Sequence, residues 1–596
     1  MKKENASIKE QIKVVVQEGV KAASAALERN DINTATKIYK ELIKTAPNES
    51  EVHNGLGVVS AAMGDLSGAI SFFKAAIDLN SQPSIYHKNL GSVYFSQRKF
   101  RRAIKEFEEV LRDEPNDAGI RYQLAACYRG RGDNAEFERQ LEKILEMSPD
   151  HFEANNDLGI SLVTRGQIEA AIKHLETACE SPKAAPPTYA NLGSAYSLMG
   201  RTKDAISAFQ KGLNIDSSNA NCHINLAIIS RNSGNLDNAL YHAEEAISSS
   251  PEDTGAHNVR GTVLKEMARD TDALESFQYA LSKNAGFAPA QINRGFIHLR
   301  AGKWRDGFKD LEARWRDPSY ANLPKDLNCP MWDGSDLSGK HIILYHEQGF
   351  GDTIQYFRFS NKIIEMGGEV SMLVQPELNR LLVSQNRTKI AKSKDEISKK
   401  ADCFAPLLSL PFLLGINSPK QISGKPYIKA PNLSKNDPSS IKKEKLFYVG
   451  VNWTGASGHK EDHKRSLDPY LLSGLEKVDG IQIVDCNFDK SSISPEFLND
   501  VPKLRKFSSD FADTADFIKI FDLVITVDTA LGHLAGSMGV NCWVLLPYAS
   551  DWRWLTQRDD SPWYRSVRLF RQKEIGEWSD VISSVEAELT SLLEKT

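Results

Sequence analysis

Small residues recur in this chain at a strict interval of 34: Ala23, Gly57, Gly91, Ala125, Gly159, Gly193, Ala227, Gly261 and Gly295. Twelve residues after each stands a second register, Ala35, Ala69, Ala103, Phe137, Ala171, Ala205, Ala239, Ala273 and Gly307. Four further on come Tyr39, Phe73, Phe107, Leu141, Leu175, Phe209, Ala243, Phe277 and Leu311, and Pro47, Pro115, Pro149 and Pro251 close several units. A fixed period of this length marks a repeat array. Each unit reads as a helical hairpin in which small residues let the helices approach and a large residue one turn later fills the gap. One hairpin cannot bury its own face, so stacking is obligatory and builds a superhelix with a concave groove. Nine units span residues 16–321, preceded by a helix or tail over 1–15. Phe137, where a small residue belongs, is expected to loosen or bend the fourth repeat.

A polar row accompanies the repeats. Two residues before the first small position stand Asn89, Gln123, Asp157, Asn191, Asn225 and Asn293, interrupted by Val259. Equivalent positions on successive first helices lie side by side on the concave face. Carboxamides there can hydrogen-bond a peptide backbone through both N–H and C=O, reading main chain rather than sequence. The plainer alternative is that these helices tolerate Asn facing solvent.

Composition narrows the class. A net charge of −4 and a pI near 6.4 give no general electrostatic reason to bind nucleic acid. Seven scattered cysteines without a Cys-x-x-Cys pair suit a reducing compartment and exclude a zinc ribbon. The charged start lacks the apolar segment of a signal peptide, and no run is long enough to span a bilayer. The expectation is a soluble cytoplasmic protein without membrane insertion.

After residue 321 the period stops, and the proline- and glycine-punctuated stretch 322–339 reads as a linker. Apolar runs "HIILYHE", "GGEVSMLVQP" and "DCFAP" follow, then a polar break at 434–445, then "LFYVGVNW", "IQIVDCN", "DLVITVD" and "NCWVLLP", with helical sequence between them. Such alternation implies parallel sheets covered on both sides, here two Rossmann-like domains over 340–435 and 436–596. Ligands of such sheets bind at the carboxyl ends of the strands.

Three motifs fall there. "HEQGFGDTIQ" places Gly349 and Gly351 in a turn after the first strand and presents Asp352. It lacks the Lys-Ser/Thr of a Walker loop and the third glycine of a dinucleotide fingerprint. "DTALGHLAG" ends a strand at Asp528 and opens a helix at Thr529 and Gly532 that carries His533. Free N–H groups at that helix start make an anion site suited to a diphosphate. Alternatively, Asp528 is a cap and His533 a packed core histidine. "VNWTGASGHKEDHKRSL" brings Lys464 and Arg465 over a strand end, where they can neutralise a diphosphate leaving group without a metal; otherwise it is a solvated loop. His459 and His463 lack the glutamate order of a zinc protease, and no metal site or resident cofactor is expected.

These segments, with "DWRWL" and "DDSPWYRSVRLFRQ" near the end, resemble bacterial tetratricopeptide–glycosyltransferase fusions whose catalytic half is similar to lipopolysaccharide heptosyltransferases. The domain combination also looks like O-linked N-acetylglucosamine transferase. The resemblance implies an all-α tetratricopeptide superhelix followed by an α/β GT-B fold. It implies metal-independent, inverting transfer from a nucleotide-sugar co-substrate to a protein or peptide acceptor held on the concave face. By that resemblance Asp352 is the general base, and Asp528, Thr529, Gly532, His533, Lys464 and Arg465 hold the donor. Two further readings stand beside it, a non-catalytic scaffold with a degenerate transferase domain and a transferase acting on glycan or lipid.

Overall fold

A computed structural model of the chain describes residues 2–80, 84–317, 320, 327, 329–385, 388–390, 401–431, 446–455, 462–488 and 495–595, with side chains from residue 13 onward. Contacts divide it into two compact units, Met1–Asn225 and Leu226–Thr596, the division falling within the helix Ala220–Asn232. Among the described residues eighteen α-helices run in sequence from α1 (Lys2–Glu28) to α18 (Trp304–Leu311), and α1 runs without a break through the described part of the stretch 1–15 that the sequence sets apart.

In the first unit the small-residue register has a direct steric cause. A Cβ on Gly57 would lie 2.5 Å from the Phe73 ring, and on Gly91 or Gly193 2.6 Å from Phe107 or Phe209. Two helices of one hairpin touch there through a ring laid on bare backbone. Phe137 does not break this scheme. The helix Asn134–Met147 runs straight through it, and Phe137 is buried. The residue one turn on is Leu141 instead of an aromatic, which offsets a small part of the bulk that Phe137 adds.

A third register, absent from the reading above, closes each hairpin. Asn30, Gly64, Arg98, Gly132, Gly166, Gly200, Gly234, Ala268 and Gly302 all adopt positive φ. Glycine carries no penalty there, whereas an L side chain costs about 1–2 kcal/mol. Ala268→Gly and Arg98→Gly are therefore each expected to stabilise their unit by about 0.5–1 kcal/mol, after allowing for the looser unfolded chain. Urea melts of the variants check this; a loss of stability would mean the side chains compensate by contacts.

The second unit joins the last repeats to two parallel sheets. The first contains β1 (His341–Tyr345), β2 (Glu369–Leu373), β3 (Lys389–Ile390) and β4 (Cys403–Pro406) in the order β3-β2-β1-β4. The second contains β5 (Phe447–Asn452), β6 (Ile481–Asp485), β7 (Leu523–Val527), β8 (Cys542–Leu546) and β9 (Val567–Arg571) in the order β6-β5-β7-β8-β9. Strands β3 and β9 escaped the sequence reading; β3 is two residues long, and β9 follows a tryptophan-rich stretch without clean alternation. The order reverses beside β1 in one sheet and between β5 and β7 in the other, and a crevice opens at such switch points.

The repeats do not stop short of these sheets. Trp304 stacks on Trp563 with centroids 4.9 Å apart, and Phe308 meets Trp552 edge-on at 5.6 Å. Leu299, Trp304, Phe308 and Leu311 belong to one buried cluster with Ile342, Leu344, Val524 and Val544. The described part of the presumed linker is also core: Trp332 and Leu337 are buried, and Trp332 N–H donates to the Phe404 carbonyl at 2.7 Å.

Candidate active site

A cavity of about 1800 Å³ lies in the second unit, where the carboxyl ends of β1, β5, β7 and β8 converge. Asp352, Lys464, Arg465, Asp528, Thr529 and His533 all line it, so residues from three motifs spread over 182 positions meet on one surface. The last repeats contribute Glu266, Phe296 and Arg300 to the wall.

On one side β1 leads through Glu347 and Gln348 to α19 (Phe350–Glu365). The two glycines serve ends other than a tight turn. Gly349 is the N-cap in extended conformation, with φ −68° and ψ 172°. Gly351 stands inside the helix, and a Cβ on it would lie 2.8 Å from Cδ2 of His533. It is a close-approach residue. Asp352 is held from both sides: Oδ2 accepts the Gly349 N–H at 3.1 Å, and Oδ1 accepts from the Arg553 guanidinium. Behind it Arg314, 2% exposed, grips Glu347 through two hydrogen bonds of 2.8 and 3.1 Å and also bonds Glu312 and Ser409.

On the other side β7 runs into a nine-residue helix that we label α22 (Ala530–Met538), after α20 (Pro376–Val383) and α21 (Phe511–Ile518). Thr529 is its N-cap but makes no capping bond to the helix; its hydroxyl accepts from Asn452 Nδ2 at 3.1 Å and pairs with Thr526 at 3.0 Å. The helix start is thus uncapped by the Thr529 side chain and lines the cavity at Thr529, Ala530 and Leu531, while the Gly532 N–H donates to the Thr529 carbonyl at 3.1 Å; an uncapped helix start is what an anion requires. Arg465 donates to the Asp528 carbonyl at 2.9 Å and to Asp462 at 2.9 Å, fixing a guanidinium beside that helix start. Burial pushes the Asp528 carboxyl up to about 6, with the nearby Asp551 adding to the rise. Gly532 packs α22 on the sheet, since a Cβ there would meet Thr526 and Val544 at 3.3 and 3.4 Å.

His533 lines the cavity but carries no charge toward it. It is 6% exposed, stacks on Trp554 at 5.4 Å, and pairs through Nδ1 with the Tyr564 hydroxyl at 2.9 Å. Burial first, then the positive charge of Arg553, pulls its pKa down to about 3, so it stays neutral and offers a phosphate no charge. Its packing is that of the core histidine in the alternative reading, and the same residue is part of the cavity wall. Lys464 lines the cavity with its ammonium 2.8 Å from Glu266. Arg553 is the residue that the sequence reading missed. It donates to Asp352, to Asp551 at 2.8 Å and to Gln355 at 2.8 Å, tying α19 to the segment after β8. His459 lies outside the described residues, and among those described no cluster of three His, Cys, Asp or Glu could hold a metal ion.

The polar row is stitched rather than open. In the first unit Asn89 donates to Asn54 at 2.9 Å and Asn191 to Asn156 at 3.3 Å, each reaching 35 residues back. Asp157 accepts from Tyr122 and Arg129, Asn225 donates to its own helix at Asn221, and Gln123 Oε1 is buried without a hydrogen-bond partner. In the second unit Asn293 donates to Asn258 at 3.3 Å and accepts from Lys265 at 2.8 Å. Neighbouring repeats are thus joined by side-chain hydrogen bonds worth about 0.5–1.5 kcal/mol each. A bonded amide retains a second N–H for a ligand.

Tetratricopeptide-repeat profiles match residues 20–82, 94–156 and 186–219. The first half of the chain is a tetratricopeptide array. Over most of its length the chain is similar to Protein FlbA of Caulobacter vibrioides, 23% identical over 571 residues, covering 89% of this chain and 94% of that protein. Superkiller complex protein 3 of Mus musculus is 23% identical over 290 residues, 47% of this chain and 18% of that one. Of solved structures, pilF of Pseudomonas aeruginosa aligns with a TM-score of 0.32 and 13% identity, covering 36% of this chain and 96% of that one. No helix among the described residues is long and apolar enough to cross a membrane.

Proposed function

We propose that this tetratricopeptide protein is a glycosyltransferase that moves a sugar from a nucleotide-diphosphate donor to a protein held by its repeats. The observation that carries the reading is the cavity at the switch points of two parallel sheets, with an uncapped helix start and Arg465 on one side and Asp352 on the other. Two facing sheets of this kind suit the GT-B architecture. In this reading the diphosphate rests on the N–H groups of α22. An acceptor hydroxyl attacks the anomeric carbon, the bond from that carbon to the phosphate oxygen breaks, and the hydroxyl proton passes to Asp352. The nucleoside diphosphate leaves with the electron pair, neutralised by Arg465 and the helix start. Protein acceptors fit the repeats, since the similar Superkiller protein is by its name a component of a complex.

Asp352→Asn is expected to lower transfer by about 10²–10⁴-fold while nucleotide binding persists. A thermal-shift panel of UDP, ADP, GDP, dTDP and CMP on the same protein supplies the control, because bound ligand at 100 times its Kd adds about 2.7 kcal/mol. One specific observation favours a second reading, a protein-binding scaffold with an inactive site: both oxygens of Asp352 are already engaged. Full turnover in Asp352→Asn would remove it as base, and silence toward all five nucleotides would favour the scaffold.

A further inference from the structure

The last turn of α15 (Thr254–Glu266) carries two consecutive residues with different errands. Lys265 donates to Asn293, the member of the polar row in this unit, at 2.8 Å. Glu266 takes the Lys464 ammonium at 2.8 Å, and Arg231 of the preceding repeat approaches the same carboxylate oxygen at 3.6 Å. Glu266 is 12% exposed, and its other oxygen is buried without a hydrogen-bond partner. The next residue after Lys464 is Arg465, which grips the carbonyl of Asp528 immediately before the α22 helix start. Three contacts, linked by two pairs of adjacent residues, therefore join the repeat wall to the anion site: Asn293 to Lys265, Glu266 to Lys464, and Arg465 to Asp528.

From this juxtaposition we propose that Glu266 is a positioning residue acting through Lys464, holding that ammonium on the repeat wall and away from an entering diphosphate. The inference rests on the donor-site reading above. The carboxylate is the fixed member of the pair, seated on a helix and backed by Arg231, whereas Lys464 has a four-carbon stem with several rotatable bonds. A carboxylate at 2.8 Å neutralises most of the charge that the lysine would otherwise present to a phosphate. When a donor arrives, its phosphate oxygens compete with Glu266 for one ammonium, and the lysine swings from the repeats to the donor. A ligand on the repeat face that moves the last turn of α15 then alters donor affinity, and by linkage the donor alters that ligand's affinity by the same factor.

The test is calorimetric titration of the full chain with whichever of UDP, ADP, GDP and dTDP binds, and with the matching monophosphate. Glu266→Gln is expected to tighten the diphosphate by roughly five-fold, the scale of one partly screened charge pair, and to tighten the monophosphate less. Lys464→Met is expected to weaken diphosphate binding. The double variant decides the route: in a Lys464→Met background Glu266→Gln should have no effect. An equal gain in both backgrounds would show only a general field from Glu266 and would overturn the proposal, as would unchanged or weakened binding in Glu266→Gln. If the unsubstituted protein binds none of the four nucleotides, the donor-site reading itself fails and takes the proposal with it. Circular dichroism of each variant separates a loss of affinity from a loss of fold.

Discussion

Arg314→Met destabilises the second unit by about 3–5 kcal/mol, the range for breaking a buried ion pair by removing one partner. Methionine restores most of the volume, so the loss comes from stranded charge. Glu347, which Arg314 holds through two hydrogen bonds, is left with the Leu408 N–H at 3.2 Å, and Glu312 keeps the Ser409 hydroxyl at 3.0 Å. The pH dependence identifies the mechanism. Burial already pushes the Glu347 carboxyl up, against the lowering pull of Arg314. Without the guanidinium that rise is less opposed, so Glu347 titrates still higher in the folded than in the unfolded protein. Between those two values the folded state holds the extra proton, and its stability grows as pH falls. The gap between the unsubstituted protein and the variant should therefore narrow from pH 7 to pH 5 in calorimetric scans. A gap independent of pH would mean that Glu347 is not the group left unpaired.

Trp304→Ala should be as damaging, at about 3–5 kcal/mol for an aromatic removed from a packed core. Trp304 is fully buried on the last repeat helix, and its partners Trp563 and Phe308 extend the cluster toward Trp552 and Tyr356. The loss should appear in the thermal transition that melts the sheets, followed by tryptophan fluorescence and amide exchange in β1 and β7. If those strands kept their protection while only α17 (Ala288–Arg300) and α18 loosened, the last repeats would be an appendage and the shared core would be refuted.

Regular features were legible in the sequence, and features made by tertiary contact were not. The 34-residue registers placed the hairpins because one steric event, a ring on a bare Cα, repeats at Gly57, Gly91 and Gly193. The strands β1, β5, β7 and β8 announced themselves as apolar runs, and Asp528–Thr529 as a helix start. Arg553 could not be seen, because its meaning depends on Asp352, 201 residues away. Nor could the packing of His533 against Trp554 and Tyr564, which lie 21 and 31 residues further on. The partners of the polar row did leave a trace: Asn54 and Asn89, Asn156 and Asn191, and Asn258 and Asn293 are each 35 residues apart, one more than the period. That offset is the mark of a residue reaching back to its neighbour's helix.

The cluster around Trp304 also governs how such a chain can change in length over generations. In the first unit the hairpins share the same registers of small and large residues, so duplicating or deleting one period leaves similar surfaces at the new junction. Hairpins near α17 and α18 have no such freedom, because their outer faces are shaped to particular tryptophans of the sheets. Gains and losses of repeats are therefore expected in the upstream part of the array, with the final hairpins and the sheets kept as one block.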